Sequence, residues 1–336
     1  MTENRLALVV TTVQPPTPAV VRLASAAASV GARFVVIGDT KTPAGWRLDG
    51  VDYLDVEAQR ALPWALARAL PTRHYARKNL GYLVAFAGGA SMVYETDDDN
   101  APLPSWAPRG RVVAGARAAL DRGWFNPYQV FGEGLLWPRG LPLQHIRSAG
   151  ARVSAEALPP TEAPIQQGLA NGSPDVDAVW RMVCDRDVRF ADGPPIVLPP
   201  STWCPFNSQS TWWTRDVLPL LYLPSHCSFR MTDIWRSFVA QRCLWTTGAG
   251  VVFHGAEVEQ ERNAHELIRD FRDEVPGYRD NTRIVALLER LALTDGAHHA
   301  DNLRASYAAL VAEGIFPADE LALVDAWLEA CTAVAG

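Results

Sequence analysis

Four polar side chains in a row, Asp97, Asp98, Asp99 and Asn100, close the segment SMVYETDDDN and form the densest patch of chemistry in the chain. Adjacent carboxylates repel one another, and a divalent cation offsets that repulsion; Mg²⁺ and Mn²⁺ are hard ions that prefer carboxylate oxygen. In an Asp-x-Asp arrangement the two outer side chains can point the same way. Asp97 and Asp99 are therefore candidate metal ligands with Asp98 beside them, and a diphosphate would complete the coordination sphere. The plain alternative is a solvated acidic turn or a helix N-cap. The apolar strand that ends where the run begins weighs for the metal.

The segments upstream fit a nucleotide. Thr11 and Thr12 end the first strand signal, and Asp39 ends the second, where a carboxylate can accept from a base or ribose; Lys41 follows it. Arg77 and Lys78 open a helical segment whose N-terminal amides also favour anions, so they could hold a diphosphate or the base. Singly, each is as readily a surface charge; their clustering at one sheet edge gives them weight. Other acidic-motif chemistries fit less well. A haloacid-dehalogenase phosphatase carries its acidic pair after the first strand, and an EF-hand needs alternating ligands, a glycine and a distal glutamate that DDDNAPLPSWAP lacks. No Gly-x-Gly-x-x-Gly follows the first strand, and TTVQPPTP is not a glycine-rich basic loop.

Two aromatic and polar blocks could face sugar rings. One holds Trp124, Phe125, Asn126, Trp137 and Arg139; the other holds Trp203, Phe206, Asn207, Trp212 and Trp213. An indole offers an apolar face with polar groups around it, although most tryptophans serve the core. Of these, Trp124, Asn126, Trp137, Arg139, Asn207 and Trp212 are taken as candidate substrate contacts.

The elements that must position these groups alternate. Strand signals at Leu6–Val13, Phe34–Ile37 and Ser91–Tyr94 are separated by helical signals at Pro18–Val30, Leu62–Leu70 and Arg77–Phe86. This order implies a mainly parallel sheet with helices on both faces and ligands at the carboxyl ends of its strands. Residues 101–195 are rich in Pro, Gly and Trp with weak periodicity, which reads as ordered loops lining a ligand. Ile196–Leu198 and Val251–His254 are further strand candidates, Asp233–Trp245 is an amphipathic helix, and the pattern beyond Glu257 is helical.

Bulk properties bound the partners. With 336 residues, 48% of them hydrophobic, the chain can build a full core, and its net charge of -6 argues against nucleic acid. No apolar stretch approaches the roughly 20 residues of a membrane span, and MTENRLALVV does not read as a signal peptide. Five scattered cysteines without a Cys-x-x-Cys spacing indicate neither zinc nor disulfides, so a cytoplasmic setting is expected.

Several blocks together resemble the STELLO family, which is assigned to the glycosyltransferases: VVIGDTKTP, RKNLGYLVAFAGGASMVYETDDDN, FNPYQVFG, WPRGLPL, CPFNSQSTWW and QERNAHELIRDF. The resemblance runs over about residues 5–275. A more distant similarity, through the acidic triplet, is to reversibly glycosylated polypeptides, which are sugar-nucleotide mutases. The resemblance implies a GT-A-like, Rossmann-type catalytic domain at 1–256, with a nucleotide-sugar half at about 1–100 and an acceptor half at about 101–256, and a helical extension at 257–336. It implies metal-dependent transfer from a nucleoside diphosphate sugar to an acceptor, with Asp233 of FRMTDIW as the base of an inverting reaction. It also implies a histidine after the last core strand as a further metal ligand, here His254, with His265 in reserve. Mutase or self-glycosylating chemistry, or a non-catalytic scaffold, are the alternatives on the same fold.

Overall fold

The computed structural model describes residues 5–260 and 266–335. Its centre is a ten-stranded mixed sheet: β1 (Leu6–Thr12), β2 (Arg33–Gly38), β3 (Asp52–Leu54), β4 (Met92–Thr96), β5 (Asn100–Pro102), β6 (Arg117–Ala118), β7 (Ile165–Gly172), β8 (Ile196–Leu198), β9 (Ser210–Thr214) and β10 (Val251–Gln260). Across the sheet the order is β3-β2-β1-β4-β9-β7-β10-β8-β6, and β5 pairs with β10. The first four strands are parallel. Strand β9 runs antiparallel to both β4 and β7 and joins the two halves.

Strand β1 is almost wholly buried because helices cover both faces, which is why its sequence is continuous apolar rather than alternating. Leu8, Val10, Phe34 and Val36 face one layer with α1 (Pro18–Ser29), while Ala7, Val9, Val35 and Ile37 face the other. Thr17 caps α1 by accepting from the Val20 amide at 3.1 Å, and Pro18 follows at the first helical position. On the other face lies α2 (Lys78–Ala87), whose Gly81 lets helix and sheet meet: a Cβ there would sit 2.5 Å from Val9 Cγ1. That close approach delivers Lys78 to the end of β4. The expected helix at Leu62–Leu70 shortens to Ala65–Ala69, since the residue before Pro63 is turned away from helical angles.

Four helices complete the second face: α3 (Thr232–Leu244), α4 (Leu267–Arg290), α5 (His299–Ala312) and α6 (Asp319–Ala335). They share one hydrophobic cluster with α2 and the sheet, through Phe238, Ile284, Tyr307 and Trp327. The expected division at 256/257 falls inside β10, and Glu257 itself is a core residue that accepts from Trp212 Nε1 at 2.7 Å and Ser210 Oγ at 2.5 Å. No described helix is long and apolar enough to cross a membrane.

Three expectations about tryptophans and one about an amide give way here. Trp212 is fully buried against Tyr94, Trp137 is buried with its indole N–H donated to Asp177 Oδ2 at 2.7 Å, and Trp124 packs on Phe238 and His145. Asn126 is buried as the cap of the short helix Pro127–Phe131, donating to Leu136 O at 2.8 Å. Trp137, Trp212 and Asn126 are thus buried and Trp124 is half-buried against the core, and none of the four lines the cavity described below.

One buried ion pair ties these layers at the end of β4. Arg236 of α3 donates to both oxygens of Glu95, at 2.7 and 3.0 Å, and to Ser208 Oγ at 3.0 Å. Trp213 Nε1 on β9 donates to Glu95 at 2.8 Å, and the Tyr82 hydroxyl of α2 joins the same carboxylate. Removing one partner leaves an uncompensated buried charge. Glu95→Ala is thus expected to cost about 3–5 kcal/mol in urea unfolding, with most of that regained in a Glu95→Leu, Arg236→Met double variant. A double variant as unstable as the single one would show that packing, not charge, sets the loss.

Candidate functional site

The carboxyl ends of β1, β2 and β4 open on one cavity of about 730 Å³. Thr11, Thr12, Asp39, Lys41, Arg77, Asp97, Asp98 and Asp99 line it together, as do Arg139, Asn207 and Asp233 from the second half of the chain. The parallel order explains the first group, since strands running the same way end on the same edge.

The three carboxylates of the acidic run have different surroundings. Asp97 Oδ1 accepts from the Tyr75 hydroxyl at 2.5 Å and from Lys78 Nζ at 3.0 Å. Lys78 is fully buried and also donates to Thr96 O at 2.7 Å, so it braces the acidic turn from beneath rather than reaching a ligand. Asp98 turns to β1, where Thr12 Oγ1 donates to it at 2.5 Å, and the Thr17 hydroxyl donates to its backbone carbonyl. Asp99 Oδ2 accepts from Gln260 Nε2 at 2.9 Å, while Asp99 Oδ1 is buried and without a partner. Burial, with Asp97 and Asp98 nearby, pushes the Asp99 carboxyl up to about 7.

Among the described residues no trio of His, Cys, Asp or Glu could hold a metal ion by itself. Asp97 and Asp99 could supply two hard oxygen ligands, leaving the other positions to water and phosphate, the usual style of Mg²⁺. The unpartnered Asp99 oxygen fits that donor set. His254 does not join it. Its Nδ1 accepts from Arg109 at 2.9 Å and its Nε2 donates to Gln166 Oε1 at 3.0 Å, away from the cavity. Burial, then the adjacent Arg109 guanidinium, holds that imidazole well below its usual range. It is a core histidine satisfied on both nitrogens. His265 lies outside the described residues.

At the β1–β2 end of the cavity, Asp39 is held by backbone amides: it accepts from that of Thr40 at 2.6 Å and that of His74 at 3.1 Å. Arg77 is buried and largely structural, donating to Gln59 Oε1 at 2.7 Å and Leu70 O at 3.1 Å, but its NH2 has no partner. Sequence reasoning missed Arg73, an exposed cavity residue with φ of 57°, and Tyr75, the hydroxyl on Asp97. Neither has a local sequence signal beyond proximity to Arg77.

At the far side, Arg139 bridges two acids. It donates to Asp175 at 2.7 and 2.8 Å and to Asp233 at 3.0 and 2.9 Å. Asp233 accepts in addition from the Ser208 amide at 3.2 Å and the Ile234 amide at 3.0 Å. It lines the cavity, as a base would, yet every donor around it favours the bound carboxylate. Burial alone would raise its pKa; Arg139 overrides that and holds it below the usual carboxylate range. Neither Thr232 nor Asp233 caps α3, whose N-cap Met231 has no side-chain bond. The wall opposite comes from α4 and the residue before it: Glu266, Arg269, Asp270 and Asp273 line the cavity at helical spacing. That spacing stood in the sequence, inside the block QERNAHELIRDF and its continuation, and was read only as extension.

The ion pair makes a pH-dependent prediction. A depressed carboxylate contributes stability above its unfolded pKa near 4, and loses it as pH falls through the folded value. Arg139→Met is expected to cost about 3–5 kcal/mol at pH 7 and much less near pH 3.5, where the stranded acids protonate. Urea unfolding at both pH values checks this; a gap that does not change with pH would assign the loss to packing.

Comparison with known proteins follows the same residues. The family model described as STELLO glycosyltransferases matches residues 230–335. Two Arabidopsis thaliana relatives, each described as a probable glycosyltransferase, match across the chain. STELLO1 is 30% identical over 253 residues, which is 67% of this chain and 32% of that protein; STELLO2 is 29% identical over 249 residues, 68% of this chain and 32% of that protein. The chain thus spans about a third of the length of these relatives. Among solved structures, the M. tuberculosis glucosyl-3-phosphoglycerate synthase aligns over 83% of this chain and 81% of that one, at 10% identity and a TM-score of 0.42, a likeness on which nothing below rests. By its sequence relatives and its family model, the chain belongs to the STELLO family.

Proposed function

We propose that this chain transfers a sugar from a nucleoside diphosphate sugar to an acceptor hydroxyl, with Mn²⁺ or Mg²⁺ held by Asp97 and Asp99. The observation that carries this reading is the acidic run at the shared carboxyl end of β1, β2 and β4. There Asp99 keeps an unpartnered buried oxygen beside an Asp97 that is braced by Lys78 and Tyr75. The family description supports the same class of chemistry. A divalent cation bound there would neutralise a departing diphosphate.

The chain's own residues divide the remaining work. The turns after β1 and β2, with Arg77, His74 and Lys41, form the end of the cavity suited to the nucleotide. Lys78 and Tyr75 hold Asp97 in a fixed orientation through hydrogen bonds to its Oδ1. Arg139 presents an immobile positive charge on the cavity wall, fixed by Asp175 and Asp233. Within this reading Asp233 is the positioning partner of Arg139; service as an inverting base requires that Arg139 first release it. Asp233→Asn separates the two roles, because a base loses about 10²–10⁴ in turnover while donor affinity stays unchanged.

The decisive experiment is calorimetry of UDP and GDP with and without Mn²⁺. Wild type is expected to bind one of them in a metal-dependent manner, and Asp97→Asn and Asp99→Asn each to abolish that dependence; Asp99→Asn is expected to unfold at an unchanged or higher urea midpoint, and Asp97→Asn, which leaves the buried Lys78 without its carboxylate, at a lower one. Undiminished metal-dependent binding in both variants would end the assignment. Product analysis with a matching sugar nucleotide then distinguishes transfer from mutase chemistry, which interconverts ring forms with no acceptor present.

A further inference from the structure

We propose that Phe229 is the platform on which a sugar ring of the acceptor stacks, so that the acceptor is a carbohydrate. This rests on the transferase reading for the word acceptor, but not for the ring site itself. Phe229 is 58% exposed and lines the cavity. It belongs to none of the three hydrophobic clusters, and its recorded ring contact is edge-on with Tyr75, centroids 5.7 Å apart. An aromatic side chain of that exposure gives up burial that its size would otherwise bring, so its place on the cavity wall calls for a ligand with an apolar face.

The backbone that carries the ring is also anchored. Phe229 opens the short 3-10 turn Phe229–Met231, and the approach to it is pinned from two sides. Upstream, the buried Glu320 carboxylate of α6 accepts from the Tyr222 hydroxyl at 2.6 Å and the His226 amide at 2.9 Å. Next to the ring, Ser228 Oγ donates to Asp273 O, and Arg230 donates to Glu274 at 2.8 Å. An anchored backbone lowers the entropic cost of binding, since the loop need not be ordered when a ligand arrives.

The neighbours select the ligand class. The cavity that Phe229 lines presents both donors and acceptors, among them Arg269, Asp273, Asn207 and Gln209. A pyranose ring matches that mixture: its C–H face is apolar, and its hydroxyls both donate and accept. None of the tryptophans that sequence alone suggested for this role lines the cavity, which leaves Phe229 as the cavity's exposed aromatic among the described residues.

Saturation-transfer NMR tests this, using cellobiose, lactose and maltose in turn on the full chain with UDP and Mn²⁺. At least one disaccharide is expected to receive saturation at its ring C–H protons, and Phe229→Ala to weaken it roughly tenfold, while Phe229→Trp keeps it. Nucleotide affinity is expected to stay within about twofold in both variants, as the proposal places the ring beyond the donor's nucleotide. No contact with any of the three sugars in wild type, or equal contact in Phe229→Ala, overturns the proposal. An equal loss of nucleotide affinity does so too, by moving Phe229 to the donor. Disaccharide binding that depends on Phe229 without turnover of any sugar nucleotide would refute the transferase reading and leave the ring site standing.

Discussion

The position at which β4 stops governs the rest of the molecule. The strand ends at Thr96, and four elements fix that point: Lys78 of α2 donates to its carbonyl, its hydroxyl donates to Gln209 O at 2.7 Å, and Glu95 just before it is bound by Arg236 of α3 and Trp213 of β9. A buried ion pair of this kind gains little stability over a well-packed apolar pair, because desolvation consumes most of its Coulomb energy. What it does supply is a single register. Shifting β4 by one residue would send Glu95 to the face of Tyr94 and Trp212, away from Arg236. The acidic run is therefore delivered to one place.

Crowding three carboxylates there has a cost that the fold meets unevenly. Asp97 receives a lysine and a tyrosine, Asp98 receives Thr12, and Asp99 receives only the neutral Gln260 amide on one oxygen. Burial raises the carboxyls of both Asp98 and Asp99, and Asp99, with its like-charged neighbours, is pushed up to about 7. Two braced acids beside one unrelieved acid make a site that is already shaped and still short of positive charge.

Local signals made the first part of this legible. The β-α-β-α-β order, the proline and glycine punctuation around α1, and the acidic run after an apolar strand are all short-range patterns, and Asp97, Asp98, Asp99, Asp39 and Arg77 do meet at one edge. The second half was hidden because its strands are polar. Gln166 and Gln167 are buried on β7 and satisfied by Gly110 O at 2.8 Å and Ser210 O at 3.0 Å, partners 56 and 43 residues away. No alternation survives in such a strand, so the region read as loop. His254 and the tryptophans failed for a related reason: residue type announces what a side chain can do, while burial is decided by partners distant in sequence, such as Arg109 for His254.

The helices after β10 change how the cavity is understood. Read as an extension, they would be dispensable to binding; packed as they are, they supply one wall through Glu266, Arg269, Asp270 and Asp273 and hold the loop before Phe229 through Glu320. Two further groups, Glu274 and Arg230, carry their effect at a distance. Glu274 is buried and takes both Arg230 Nε at 3.0 Å and the Ala178 amide at 2.8 Å, so one carboxylate couples α4 to the rim of the cavity and to the segment holding Asp175 and Asp177. Arg230 in turn offers its carbonyl to Arg139, which closes the circuit on Asp233. This side of the cavity is thus framed by charges drawn from distant parts of the chain, and its geometry is set by the C-terminal helices as much as by the sheet. One edge of the cavity is built from local signals and the opposite wall from tertiary ones, so the first could be read from short-range pattern and the second only from packing.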